Sequence, residues 1–288
     1  MPKRPDTLVL GAVAYAPKVV TIWEGFKSYF AGHGLQFDYI LYSNYETQVE
    51  ALMDGQCDIA WNSPLAWVRA ERLARARGVQ VQAIAMRDTD CDLTSVIIVR
   101  SDSPAQSVAD LKGKIVAVGA VDSPQAYLIP LDLLRSHGLE PGTDFEIQRH
   151  DLLGGKHGDH VGGELDAARS LLSGSADAAC LIKGNYEAWI ADGTIPSGAT
   201  HILAETPAYD HCNVTVGPMA AEQLVERFYT LLMAMSYDDP DLRPLMDLEG
   251  LKQWRAGRVE GYLPLEAAVN AAGFYDQDGA ITENDYRY

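Results

Sequence analysis

Apolar and polar positions alternate in two registers along this chain. Residues 8–15 form a nearly unbroken apolar run, as in a strand covered on both faces, and then Val19, Ile22, Trp23, Phe26 and Phe30 recur at helical spacing until Gly32-His33-Gly34 stops the helix. The pattern then predicts a strand at 36–41, a helix at 45–53, a turn at Asp54-Gly55, a strand at 57–61 and a helix opened by Asn62-Ser63-Pro64 that runs to residue 77. Strands follow at 79–85 and 94–99, the latter strongly β-branched, with the loop 88–92 between them. Past Pro104 the scheme reads strand 115–118, helix 124–136, strand 145–149, a Gly/His-rich loop at 154–163, helix 164–172, strand 176–182, helix 186–191 and strand 201–204. Residues 209–216 cross back, and the tail is expected to be helical at 220–235, 241–245, 248–254 and 264–272. Strands alternating with helices point to an α/β protein with mostly parallel sheets.

The chain writes one phrase twice. Ala51 to Trp61 (ALMDGQCDIAW) lines up with Ser170 to Cys180 (SLLSGSADAAC), pairing Gly55 with Gly174 and Asp58 with Asp177. His33-Gly34-Leu35 likewise matches His137-Gly138-Leu139 upstream. Two matches in the same order predict two similar βαβ lobes, each with helix starts at the carboxyl ends of its strands, where α/β proteins bind ligands. On this reading Ser63 and Ser123 occupy equivalent strand-to-helix points.

Composition narrows the function. A net charge of −17 argues against nucleic acid and anionic membrane as partners but not against a small anion held by local amides. No apolar run is long enough for membrane insertion, and the basic start lacks an apolar stretch before the first strand. The expectation is therefore periplasmic if a signal peptide has been removed, and cytoplasmic otherwise. Cys57 and Cys180 fall in the matched strands and read as small core residues, whereas Cys91 and Cys212 lie in loops beside the expected crossovers, where a disulfide, a metal site or neither fits. No dinucleotide fingerprint, phosphate loop or nucleophile elbow is present, so no catalytic residue is named.

Several stretches resemble one family. TSVIIVRSDSPAQSVADLKGKIVAVGAVDSP, CDIAWNSPLAWVRA, GGELDAARSLLSGSADAACLIKGN and the ending EGLKQWRAGRVEGYLPLEAAVNAAGFYD are similar to the PhnD-type phosphonate/phosphate solute-binding proteins of ABC transporters. That resemblance implies the two-lobed type 2 periplasmic-binding-protein fold, each lobe a mostly parallel sheet flanked by helices, with two hinge crossovers and a ligand cleft between the lobes. Residues 1–99 with 208–288 are expected to form one lobe and 100–207 the other. The implied function is capture of a small anionic solute, a phosphonate- or phosphate-like oxyanion or a related one, by a monomer that delivers it to an ABC transporter permease, with no cofactor and no metal. A cytoplasmic enzyme or ligand sensor on the same fold, with a metal at the loop from His157 to Glu164, is the open alternative.

The resemblance maps Tyr15 onto the aromatic that ends strand one, Asn62 and Ser63 onto the second ligand loop, and Asp122-Ser123-Pro124-Gln125 onto the hydroxyl-rich cluster. Pro124 and Gln125 stand where further hydroxyls are expected, and Glu164-Leu165 where the family has a His-acidic pair. Lys18, Tyr127, Asn185 and Tyr186 join the candidate ligand contacts by their place near helix starts, with Lys156 and Lys183 as further cations. The ordinary alternatives are helix capping for the serines and plain packing for Tyr15. The stretch Gly154–Gly163 is too rich in glycine to order itself, so it is expected to act as a specificity lid. His157 and His160 would reach the ligand, and Asp159 would set the charge of one of them.

Overall fold

The structure, a computed structural model, describes residues 6–158 and 162–288. The chain opens with β1 (Leu8–Val13), α1 (Lys18–Gly32), β2 (Phe37–Tyr42), α2 (Tyr45–Met53), β3 (Ile59–Asn62), α3 (Pro64–Arg77) and β4 (Gln82–Arg87). It continues with β5 (Ser95–Arg100), β6 (Ile115–Val118), α4 (Ile129–Ser136), β7 (Glu146–Arg149), α5 (Gly162–Ser173), β8 (Ala178–Ile182), α6 (Lys183–Ala191) and β9 (Thr200–Glu205). Then come β10 (Asn213–Val216), α7 (Glu222–Met233), α8 (Arg243–Glu249), β11 (Trp254–Ala256) and α9 (Leu263–Ala272). Among the described residues no helix is long and apolar enough to cross a membrane.

These elements divide into two compact units. The first holds Met1–Cys91, Asp210–Tyr262 and Tyr275–Ile281, around a six-stranded sheet in the order β11-β4-β10-β3-β1-β2. The second holds Asp92–Tyr209, Leu263–Phe274 and Thr282–Tyr288, around a five-stranded sheet in the order β7-β6-β8-β5-β9. The boundary expected after Val99 therefore moves to Cys91–Asp92. β5 lies between β8 and β9, antiparallel to both, and its residues alternate between the two faces of that sheet. Val96 and Ile98 join the core under α5 and α6, whereas Ile97 and Val99 join the core under α4. A strand buried on both faces carries no mark of which sheet it joins. α9 and the last residues also belong to the second unit, not the first as expected.

In the first unit the larger core packs the aromatic stripe of α1 against Phe37, Phe228 and Trp254. The helix expected at 248–254 is a second departure. α8 ends at Glu249 because Gly250 takes the left-handed conformation, and Trp254–Ala256 pairs antiparallel with β4 as an edge strand. Trp254 is buried against Trp61 and Phe26.

The repeated phrase encodes one turn used twice. Gly55 and Gly174 both adopt positive φ, 69° and 80°, which glycine alone takes at no steric cost. Directly after them Asp58 accepts from the amide of Val9 at 2.9 Å while its own amide donates to the Val9 carbonyl at 2.8 Å. Asp177 repeats both contacts on Ile115, at 2.9 and 2.8 Å. Asp58 thus clamps the start of β3 to β1, and Asp177 the start of β8 to β6. His33 and His137 likewise turn Nδ1 onto the carbonyl four residues back, at 2.8 and 2.9 Å.

Sheet pairing corrects one equivalence. β1 pairs in parallel with β2 and β3, as β6 does with β7 and β8, so β1 corresponds to β6 and β3 to β8. Ser63 follows β3 and Ser123 follows β6, so the two serines sit at different points of the repeat.

Candidate functional site

In the first unit, β3 runs into α3 through Asn62 and Ser63, both fully buried. Ser63 is extended, its Oγ accepts from the Ala66 amide at 3.1 Å, and Pro64 occupies the first helical position. This is a standard amino-terminal cap, worth about 1 kcal/mol. Asn62 belongs to a buried chain of side chains. Gln48 donates to its Oδ1 at 2.8 Å, its Nδ2 donates to Thr215 at 2.8 Å, Thr215 donates to Asn213, and Asn213 donates to the Tyr262 hydroxyl. The Asn62 amide is therefore used inside the unit, tying α2, β3 and β10 together. Tyr15 is half-buried against the main core, with the exposed Lys18 ammonium 5.9 Å from its ring centre.

The second unit gathers more of the candidates. Ser123 follows β6 and opens a wide turn, Pro124–Leu128, that leads into α4. Its Oγ accepts from the Ala126 amide at 3.2 Å, and it is 2% exposed. The turn is pinned from β5, where Ser95 donates to the Gln125 carbonyl at 2.6 Å and meets the Tyr209 hydroxyl at 2.7 Å. Burial pushes that phenol far above its ordinary range.

A small cavity opens against this helix start, lined by Gly119, Ala120, Ser123, Ala126, Gly158, Gly163 and Glu164. About 10 Å³ is open to the centre of a water molecule, room for about one water. Glu164, in the first turn of α5, is buried and its Oε2 accepts from the Ile182 amide and from Asn185 Nδ2, both at 3.0 Å. Gln125 donates to the Gly158 carbonyl at 2.8 Å, and its buried Oε1 has no hydrogen-bond partner among the described residues.

The segment Leu153–Gly158 is tied down rather than loose. Asp122 Oδ2 accepts from the amides of Gly155 at 2.8 Å and His157 at 3.2 Å. His157 is fully buried at φ 50°, with Nε2 3.5 Å from the Tyr286 hydroxyl. A Cβ on Gly158 would lie 2.6 Å from Ser123 Oγ, so that backbone lies directly on the serine. Glycine alone does not order this stretch, but a buried carboxylate that accepts two of its amides does. Asp159 and His160 lie outside the described residues.

The structure thus brings Ser123, Gln125, His157, Glu164 and Asn185 into one neighbourhood. It turns Tyr186 onto Thr200 at 3.1 Å and packs Tyr127 against the core under α4. Lys183 is bound to Glu205 at 2.9 Å, which raises its pKa. Tyr286, which the sequence did not single out, reaches the loop from the end of the chain, and Asp122, read there only as part of the hydroxyl-rich cluster, holds it, through contacts that no local pattern records. Among the described residues the side chains close enough to share a metal are Asp90, His211 and Cys212.

This architecture has many solved counterparts. PhnD1 from Prochlorococcus marinus (MIT 9301), in complex with methylphosphonate, superposes with a TM-score of 0.69 at 19% identity over 94% of this chain and 99% of that one. XAC2383 from Xanthomonas citri, bound to ATP, gives 0.70 at 16% identity over 92% and 98%. The periplasmic aliphatic sulphonate binding protein SsuA from Escherichia coli gives 0.56 at 19% identity over 92% and 86%. At these identities the likeness establishes the two-lobed binding-protein fold. The family model for ABC-transporter phosphonate periplasmic substrate-binding proteins matches residues 13–262, nearly the whole chain, and the protein belongs to that family.

Proposed function

We propose that this protein captures a small oxyanion that still carries a proton, a phosphonate or phosphate monoanion, and presents it to the permease of an ABC transporter. The observation that carries the reading is the cavity in which the Ser123 hydroxyl, at a helix start, meets the buried Glu164 carboxylate. A helix start and a hydroxyl favour an anion. A carboxylate lining the same cavity repels a fully ionised group, and it accepts a hydrogen bond from one that retains an O–H. Gln125 Oε1, a second buried acceptor beside Gly158, adds to that preference. The room for about one water implies that the segment before Gly158 shifts when the anion enters. Its hold on Asp122 and Gln125 then sets part of the cost of binding. Tyr15, Lys18, Asn62 and Ser63 of the first unit are proposed to act through the order of their own helix starts. The family match and the solved neighbours support transport over an enzyme or a sensor.

Titration calorimetry with methylphosphonate, phosphate, phosphite, methanesulfonate and acetate tests this. Methylphosphonate or phosphate should bind at least tenfold more tightly than methanesulfonate, which has no proton to donate, a gap of about 1.4 kcal/mol. Glu164→Gln should narrow that gap, and Ser123→Ala should weaken every anion. Affinity should fall as pH rises and the ligand loses its last proton. Heat from none of these anions, or a preference for methanesulfonate, overturns the reading.

A further inference from the structure

One cluster of the first unit has no part in the anion site. Asp90 closes the short turn Asp88–Asp90 that follows β4, and His211 and Cys212 immediately precede β10. β4 and β10 are antiparallel neighbours, so the end of one meets the start of the other. The His211 amide donates to the Asp90 carbonyl at 2.8 Å, fixing the two backbones together. His211 Nδ1 lies 3.1 Å from Cys212 Sγ and 3.4 Å from Asp90 Oδ1, and one donor atom from each residue falls within 4.8 Å of the others. Asp90 is 1% and Cys212 2% exposed, whereas His211 is half-buried and offers a way in.

We propose that Asp90, His211 and Cys212 form a binding site for a zinc-type divalent cation, with a fourth position for solvent. Zinc bonds of about 2.0–2.3 Å meeting at tetrahedral angles place donor atoms roughly 3.3–3.6 Å apart, close to the spacing found here. One carboxylate, one imidazole and one thiolate form a donor set that suits a borderline-soft dication. The site is also oriented from outside. Arg87 grips Asp90 through Nε at 2.5 Å and Nη2 at 2.8 Å, and Tyr262 donates to the His211 carbonyl at 2.9 Å. The same guanidinium faces a second buried carboxylate, Glu249, at 3.3 Å. A dication with that guanidinium balances two carboxylates and a thiolate, the Cys212 proton leaving to solvent on binding.

The test uses the full-length reduced chain after chelator treatment, titrated with cobalt(II) and then zinc. One equivalent of cobalt should produce a near-ultraviolet sulfur-to-cobalt charge-transfer band and the visible bands of a tetrahedral ion, both displaced by zinc. The charge-transfer band should vanish in Cys212→Ser and persist in Cys57→Ser and Cys180→Ser, and His211→Ala should weaken binding at least tenfold. No band with the parent chain, or a band that survives Cys212→Ser, overturns the proposal. If Cys212→Ser does not fold, zinc-edge X-ray absorption of the parent decides, since a first shell without one sulfur rules the site out.

Discussion

Asp58 and Asp177 are chain-internal clamps, Asp58 accepting from β1 and Asp177 from β6, with carboxylates that the sequence pattern gave no task. Replacing either by alanine leaves a strand amide without its charged acceptor, so Asp58→Ala and Asp177→Ala should each cost about 1–3 kcal/mol in urea unfolding. Asp58, the more buried, should cost more; equal and negligible losses would show that the clamps carry no weight. Asp90 makes a pH-dependent contribution. The Arg87 guanidinium, with the hydrogen bonds it and His211 make, outweighs burial and holds this carboxyl far below its usual value of 3.8. A depressed folded-state pKa means that the stabilisation is complete above about pH 4 and is lost as pH falls below it. With chelator present, Asp90→Asn should therefore destabilise by several kcal/mol at pH 7, since it leaves Arg87 short of a partner. The penalty relative to the parent should shrink as both are titrated into acid. A penalty independent of pH would sink this account.

At the scale of elements, the segment Leu153–Gly158 and the wide turn Pro124–Leu128 form one assembly, held by Asp122, Gln125 and the close approach of Gly158 to Ser123. Gly158→Ala adds a methyl where 2.6 Å remains to Ser123 Oγ and where φ is 72°, so the segment must lift. The expected outcome is faster hydrogen exchange at the Gly155 and His157 amides, with the β5 amides unchanged. Protection equal to the parent's would mean that the segment is not seated on the serine. The histidine-rich loop was visible in the sequence as glycine and charge, but its anchoring was not. Asp122 lies more than thirty residues upstream of the amides it accepts. The edge strand β11 escaped for a related reason. Leu248, Leu251 and Trp254 fall at helical spacing, and only the left-handed Gly250 and the open edge of β4 turn Trp254–Ala256 into a strand.

At the scale of the whole chain, each unit is assembled from distant segments, and the last seven residues belong to the second unit although Tyr275–Ile281 belongs to the first. Tyr286 packs on Phe274 with ring centres 5.0 Å apart and reaches His157, while the Arg287 carbonyl lies against Gly154. Truncation after Ile281 should lower the melting temperature. It should also raise exchange in α9 and in Leu153–Gly158, leaving the strands β1 and β3 protected. Uniform loss of protection would mean that the tail supports the whole fold rather than its own unit. What the sequence alone determined is whatever depends on near neighbours. Period-two and helical patterning set nearly every element, and the repeated glycine turns and matched aspartates announced two like halves. Proline and serine marked the helix starts, and the family was legible from its motifs. What only the tertiary structure decided is the pairing of elements far apart in sequence. β5 joined the second sheet because both of its faces are apolar and its partners lie elsewhere in the chain. Ser63 and Ser123 proved to be non-equivalent because strand order, not local sequence, defines position in a repeat. Asp90 came to His211 and Cys212 because antiparallel pairing of β4 and β10 brings together ends that no local pattern connects.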